Sequence, residues 1–485
     1  MSLESKFLQL LDGKQIVATV CLQFGDTGKG KFSDLLALYW ADVTARGTGG
    51  ANAGHTVVIN RVEYIFHLLP VGILYDDLGK VTILGKGMVP NPFALVEELE
   101  YLDSLGKSYN NLRISGDAAL LLPYHIEADG KNKNQKTGGI GTTGRGIGPC
   151  YEDKVGRRAI FVRDLLQRDI LVRKLQKLNE DFPDRNIDVD DLVSRLDSVA
   201  QRLNQFITNT DDVLLEAIRQ GKKIGLEGAQ GTLLSIEHGI SPYVTSSDCS
   251  VNGLASGVGL SAGAIDLTLG MIKFPIMTRV GGGPFVTELG GRRSEEYCAD
   301  ENDRKKQELE RFNISYTLDR DKIHYDHSDP KILALLNSKI PFEQGVGARL
   351  AADEFGATTG RKRRTGWVDA VAARYAALHN NVNLRLVLGK LDAWSGIQEF
   401  NICYGYRKPS GEITDKFSRD PDVMYQMEPV LKPYQGYCGD LIDVHRGLDL
   451  PIGLYKGIEE FQNFVGVPVA MLSIGRQQSD VIFWK

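Results

Sequence analysis

Apolar residues fall along this chain in two alternating patterns. Short, unbroken or β-branched apolar runs at 16–21, 56–59, 64–69, 81–84, 223–226, 384–388 and 467–473 predict strands, with a further short one near 42–45. Runs with apolar residues three and four apart at 32–40, 92–105, 163–204, 211–219 and 456–465 predict helices. Pro92 and Gly106 punctuate the second of these at its start and end. Strand and helix in alternation predict an α/β fold with a large, mostly parallel central sheet, helices on both faces, and helical and loop insertions.

Polar stretches separate these elements. Residues 131–149 are nearly all Gly, Thr, Lys, Asn and Arg and read as a long loop, and 243–263 is rich in Gly, Ser and Thr. The segment 290–353 is the most polar part of the chain and reads as a solvated insertion. Its His324 and His327 lack a cysteine or carboxylate pattern that would complete a tetrahedral metal set. With no internal repeat and no low-complexity linker, residues 1–485 are expected to form a single domain carrying that insertion.

Composition adds limits rather than identity. At 485 residues, 42% hydrophobic and 25% charged, the chain can bury a large core. A net charge of −5 gives no general attraction to nucleic acid or anionic membrane. The six cysteines form no Cys-x-x-Cys pair, no apolar run reaches the ~18 residues of a membrane span, and the N-terminus lacks a signal-peptide core. A soluble cytoplasmic protein with free thiols is expected.

Candidate chemistry sits in the glycine-rich loops. Gly25-Asp-Thr-Gly-Lys-Gly-Lys31 follows a predicted strand and precedes a helix, so its N–H groups and the positive helix end can meet a phosphate. It matches a Walker A loop only partly, since Phe32 stands where a magnesium-binding hydroxyl belongs, and Asp26 is the available hard oxygen ligand. A P-loop-NTPase-like nucleotide site is therefore expected, against the plainer reading of a glycine turn with solvated lysines. Gly389-Lys-Leu-Asp392 follows another strand, and one carboxylate there can accept from both N1–H and the 2-amino group of guanine, although a surface ion pair is the alternative. His55, among small residues in Asn52-Ala-Gly-His-Thr56, has no apolar stripe to join and can serve a transferring phosphate as an acid. His125, His238 and His379 lie in or beside apolar or helical patterns and read as structural. The run Arg361-Lys-Arg-Arg364 suits a small dianion through bidentate arginine, a nucleic acid, or simple solvation. Gly141-Thr-Thr-Gly-Arg-Gly-Ile-Gly-Pro149 and the arginines up to Arg158 suit a second phosphate. Two phosphate sites, a guanine reader and a carboxylate clamp describe an enzyme that joins two substrates using GTP.

Taken together in order, the motifs beginning at Gly25, Asn52, Gly141, Glu227, Val244, Thr278 and Gly356 resemble those of the adenylosuccinate synthetase family over nearly the whole chain. The resemblance implies a GTP- and magnesium-dependent ligase joining IMP to L-aspartate. It implies Asp26 as base and magnesium ligand, His55 as acid, and the Gly54 carbonyl as a second metal ligand. Gly25, Asp26, Thr27, Gly28, Lys29, Gly30 and Lys31, with Gly54, His55 and Thr56, would take the GTP phosphates. Arg363, Lys390, Leu391, Asp392, Ser473, Ile474 and Gly475 would complete the GTP site. IMP would be held by Asp26, Asn52, Ala53, Gly54, His55, Thr143, Gln230, Thr245 and Arg361. Arg157 would reach the IMP of a neighbouring subunit, which implies a homodimer. Aspartate would meet Ala357, Thr358, Thr359, Gly360, Arg361, Lys362 and Arg363.

Four features depart from the family pattern. Thr27 stands where most members have Glu, Phe24 where they have Trp, and Lys362 where they have Arg, and the connection at 290–353 looks longer than usual. Two other readings compete: a phage-type relative that aminates dGMP, which typically lacks the loop aspartate, and a nucleotide-binding regulator without catalysis. Asp26 favours IMP over dGMP, and the presence of both Asp26 and His55 argues against the regulator.

Overall fold

The structure, a computed structural model, describes residues 2–59, 62–134, 143–300, 302–319, 322–356 and 360–484. Ten strands form one sheet in the order Val481–Phe483, Val469–Ser473, Leu384–Gly389, Leu267–Lys273, Ile16–Cys21, Ile224–Glu227, Val43–Arg46, Val81–Leu84, Leu112–Ser115, Ile207–Thr208. Every neighbouring pair is parallel except the edge pair formed by Val469–Ser473 and Val481–Phe483. Ile16–Cys21 is buried at all six positions because it lies mid-sheet with both faces covered, which is why it reads as a continuous apolar run instead of an alternating one. A second sheet joins Ile276–Arg279, Arg364–Asp369, Ile397–Arg407, Ile413–Thr414 and Glu428–Tyr437.

The expected helices form with shifted ends. Pro92–Ser104 is capped by Asn91, whose side chain accepts from the Phe93 and Ala94 N–H groups. The expected helix at 163–204 divides into Arg168–Asp181 and Val189–Leu203, with a short helical turn Pro183–Arg185 between them. The expected loop 131–149 is shorter, since Pro123–Asn134 continues into it and Ile147–Val155 begins inside it; residues 135–142 lie outside the described ones. The stretch 243–263 likewise holds a helix, Val251–Gly257, started by the Ser250 cap.

The segment 290–353 is not a solvated appendage. Leu309, Ile314, Ile332, Leu336, Val346, Ala348 and Leu350 join the main core. Within it, fully buried Arg349 makes a double hydrogen bond to fully buried Glu308, with Nε and NH2 contacts of 2.6–3.1 Å, and its NH1 donates to the Arg363 carbonyl at 2.9 Å. Its polarity is thus spent on internal pairing as well as on solvent. Arg349→Met would leave the Glu308 carboxylate buried without its partner and is expected to cost about 3–5 kcal/mol in denaturant unfolding; a loss under about 1 kcal/mol would mean that water reaches the pair.

Asp369 ends the second-sheet strand that carries Arg364 and caps the helix Ala370–Leu378. Burial pushes its carboxyl up to about 6, against hydrogen bonds from the Ala372 N–H and the Tyr406 hydroxyl. Its folded pKa exceeds the unfolded value of about 3.9, so its contribution to stability is complete at acid pH and is lost as pH rises to about 6. The stability difference between wild type and Asp369→Asn is expected to shift against wild type by about 2–3 kcal/mol between about pH 4 and pH 7. A difference that does not change with pH would show an unshifted carboxyl.

Candidate active site

Nearly all the sequence motifs gather at one edge of the large sheet. The carboxyl ends of Ile16–Cys21, Val43–Arg46, Ile224–Glu227, Leu267–Lys273, Leu384–Gly389 and Val469–Ser473 lead into the loops that carry them, the place where open parallel sheets bind ligands. Four candidate residues with side chains adopt left-handed backbone there or nearby: Asp26 (φ 54°), Gln230 (φ 48°), Lys390 (φ 65°) and Arg157 (φ 61°). Each such residue costs about 1–3 kcal/mol, so the surrounding structure holds these turns in place.

The phosphate loop turns at Gly25 (φ 83°) and Gly28 (φ 73°), and the following helix starts at Lys29, three residues earlier than the apolar pattern suggested. Gly28 is its N-cap and makes no side-chain cap, which leaves the first N–H groups directed outward. Gly30 packs so closely that a Cβ there would lie 2.8 Å from the Thr56 carbonyl, which brings the 25–31 and 54–56 loops together. Asp26 accepts from Arg363 Nε at 3.1 Å. Desolvation in the cleft works to raise its carboxyl although 42% of the side chain stays exposed, and Lys273, Arg363 and Lys390 outweigh it and hold the group well below the usual carboxylate range. Thr27 is buried, and its hydroxyl has no hydrogen-bond partner among the described residues. Lys29 donates to the Gln230 carbonyl at 2.6 Å, and Lys31 points to the 473–480 turn.

His55 is buried, and its Nδ1 contacts Glu227 Oε1, whose other oxygen accepts from the Val71 N–H at 3.0 Å. That contact fixes the ring and leaves Nε2 for the cleft. Burial, followed by Arg46, Lys29 and His67, holds the imidazole pKa well below its ordinary value. Arg46 is fully buried and donates to the carbonyls of His67 at 2.6 Å and Gly50 at 3.2 Å, so it clamps the loop that presents Asn52 to His55.

Asn52 meets Thr245, its Nδ2 donating to Oγ1 at 3.3 Å, and the Ala53 carbonyl is hydrogen-bonded to His67 Nδ1 at 2.6 Å. Gln230 packs against Gly49 of the same loop. Thr143 is exposed, and Arg157 projects into solvent beyond the end of Ile147–Val155. In the 356–363 loop, the Gly356 N–H donates to the Arg361 carbonyl and the Gly360 N–H to Gly356, both at 2.8 Å. Ala357, Thr358 and Thr359 lie outside the described residues. Lys362 turns behind the loop, its ammonium 3.0 Å from Asp303 and 3.7 Å from the Tyr297 ring centre. Leu391 is buried, with its N–H on the Ser473 carbonyl at 3.2 Å, so the Lys390 to Asp392 turn and the Ser473 to Gly475 turn are adjacent. Burial raises the Asp392 carboxyl against Lys390 and Lys31.

Several supporting residues escaped the motif reading. Lys273 and Glu354 form a buried ion pair at 2.6 Å, and Lys390 approaches the other Glu354 oxygen at 3.2 Å. Glu227 stood within a recognised motif, but only the fold reveals that it faces His55. Phe24, the Trp replacement, lies 4.1 Å from the guanidinium of buried Arg279. Of the histidines read as structural, His125 contacts Asp153 at 3.0 Å and His238 stacks on His379 at 4.2 Å. His327 is hydrogen-bonded to the Leu350 carbonyl at 3.2 Å.

A glycine-rich strand-to-helix loop, an Asp-bearing turn after a neighbouring strand and a cation-flanked aspartate at the carboxyl edge of a parallel sheet have the arrangement of a nucleotide-using α/β enzyme. The sequence profile described as Adenylosuccinate synthetase matches residues 18–482, and the chain belongs to that family. A relative of that name from Halothermothrix orenii is 36% identical over 482 residues, covering 97% of this chain and 98% of its own. One from Salinibacter ruber is 35% identical over 478 residues, covering 95% and 96%. The fully ligated adenylosuccinate synthetase of Plasmodium falciparum superposes with a TM-score of 0.80 at 30% identity, covering 97% of this chain and all of that one. The succinoaminodeoxyadenylate synthetase of cyanophage S-2L, bound to dGMP and dATP, shares the fold at TM-score 0.53 and 17% identity, covering 97% and 95%. The chain is a GTP-dependent ligase that joins IMP and aspartate.

Glu227→Gln keeps the shape but removes the charge that orients His55. It is expected to lower kcat by about 10²-fold or more. An unchanged kcat would remove Glu227 from the account.

Proposed function

We propose that Asp26 takes the N1 proton of IMP, so that the 6-oxygen attacks the γ-phosphorus of GTP. The bond from that phosphorus to the β,γ-bridging oxygen breaks, GDP leaves, and 6-phosphoryl-IMP forms. The amine of aspartate then attacks C6 and loses a proton, and the C6–O bond breaks to release phosphate. His55, with Nδ1 on Glu227, donates from Nε2 to the charge that develops on the bridging oxygen in its doubly protonated form, which the Glu227 carboxylate favours and the burial and cations around the ring oppose. The observation that carries this reading is the meeting at Asp26 of the phosphate loop and Arg363 of the 356–363 loop, with cations keeping the carboxylate ionised.

The roles of the remaining residues follow the same reading. Asn52, Ala53, Thr143, Gln230, Thr245 and Arg361 hold IMP, the 357–363 loop takes aspartate, and Lys390 to Asp392 read guanine. Lys362 supports its loop from behind, in keeping with its contact with Asp303. Magnesium fits the chemistry of the donors: the Asp26 carboxylate and the Gly54 carbonyl would be its hard oxygen ligands beside the phosphates. Bound there, it would neutralise charge on the phosphates. The exposed, left-handed Arg157 supports a homodimer in which it reaches the neighbouring subunit's IMP. Six unpaired cysteines suit a cytoplasmic setting, and no helix of the described residues is long and apolar enough to cross a membrane.

Asp26→Asn retains the shape and removes the base. It is expected to lower the GTP- and aspartate-dependent rate by about 10²–10⁴-fold, measured side by side with IMP and dGMP. An unchanged rate would overturn the role of Asp26, and turnover with dGMP alone would overturn the choice of IMP.

A further inference from the structure

In a phosphate loop the second lysine is ordinarily assigned to phosphate, yet Lys31 is committed elsewhere. Its Nζ donates to Ser473 Oγ at 3.0 Å, to the Gly475 carbonyl at 3.1 Å and to the Asp480 carbonyl at 2.7 Å. Three acceptors use all three donors of an ammonium. Asp34 lies three residues on, on the same face of the helix Lys29–Tyr39, and is fully buried. It accepts from the Tyr75 hydroxyl at 2.7 Å and from Gln478 Nε2, which is also 3.1 Å from that hydroxyl. The 473–480 turn is closed internally by the Ile474 N–H on the Asp480 carbonyl at 3.0 Å and the Gln477 N–H on Asp480 Oδ2 at 2.8 Å. One helix face therefore grips both ends of a turn that its own hydrogen bonds keep folded. Burial pulls the Lys31 ammonium down to about 8 against Asp480 and Asp392, which fits a cation enclosed by the base-reading elements.

We infer that Lys31 and Asp34 are positioning residues for guanine recognition: the helix that begins at the phosphate loop fixes the 473–480 turn, so phosphate grip and base grip are set by one rigid element. The inference rests on the reading of Ser473 to Gly475 as the turn that closes over the base. Removing a tie loosens base selection and leaves the phosphate contacts of the loop backbone in place. A lysine serving phosphate would instead affect every nucleoside triphosphate alike.

The test compares GTP with inosine triphosphate, which lacks the 2-amino group, in wild type, Lys31→Met and Gln478→Leu. Amide exchange of residues 473–480 is measured on the same proteins without ligand. Both variants are expected to raise amide exchange in the turn. Each is expected to raise KM for GTP by about tenfold or more, reduce the preference for GTP over inosine triphosphate, and leave KM for IMP and aspartate within twofold. Gln478→Leu, which removes the tie to Asp34 and leaves Lys31 in place, keeps the test available should Lys31→Met fold poorly. Equal losses with both triphosphates and unchanged exchange would overturn the inference and return Lys31 to the phosphates. Looser exchange with unchanged GTP kinetics would overturn the role in base recognition while sparing the ligase reading. Absence of GTP-dependent ligation in wild type would sink that reading itself, and this inference with it.

Discussion

Desolvation in a cleft penalises an ionised carboxylate, and nearby cations offset that penalty and keep the group charged. At Asp26 the balance comes from Lys273, Arg363 and Lys390. None of these is free to drift. Lys273 is pinned by Glu354 at 2.6 Å and by the Thr278 hydroxyl at 3.0 Å, and Lys390 by Glu354 and the Ala352 carbonyl. Arg363 has its N–H on the Glu354 carbonyl at 2.9 Å and its own carbonyl on Arg349. Glu354 is thus the common anchor of the cations around Asp26, the Lys390 to Asp392 turn and the base of the 356–363 loop.

This arrangement explains why the polar segment is built into the core. Arg349 and Glu308 bring the segment's helices against the strand that begins at Arg364, and Lys362 meets Asp303 from the other side. Buried pairs of this kind add little net stability, because desolvation consumes most of the attraction, but breaking one partner is costly. Their effect is to fix the position of a cation-bearing loop beside Asp26. Replacement of the family's Arg by Lys362 is compatible with this, since its ammonium faces a tyrosine ring and a carboxylate behind the loop.

Much of this was legible in the sequence, for identifiable reasons. Strands at 16–21 and 81–84 were recovered with their ends because parallel, doubly covered strands are continuous apolar runs. The helix at Lys29 was placed too late because its first turn is glycine and lysine, which carry no apolar period. The segment 290–353 reads as solvated because charged residues in a sequence do not show their partners, and Glu308 and Arg349 lie 41 positions apart. Glu227, Lys273 and Glu354 were missed for a similar reason: each acts through a residue distant in sequence and close only across the sheet. Asp26 and His55 stand out in the sequence because polar side chains in loops of small residues have few structural reasons to be there, and the fold places both loops side by side through the close packing of Gly30 on Thr56.

The central claim is that Asp26 makes the 6-oxygen of IMP a nucleophile toward the γ-phosphate. It is tested most directly with IMP carrying ¹⁸O at position 6, in one turnover with GTP and aspartate. The account predicts that the label is recovered in inorganic phosphate, because the C6–O bond breaks only after that oxygen has joined phosphorus. Label released into water, with unlabelled phosphate, would contradict it.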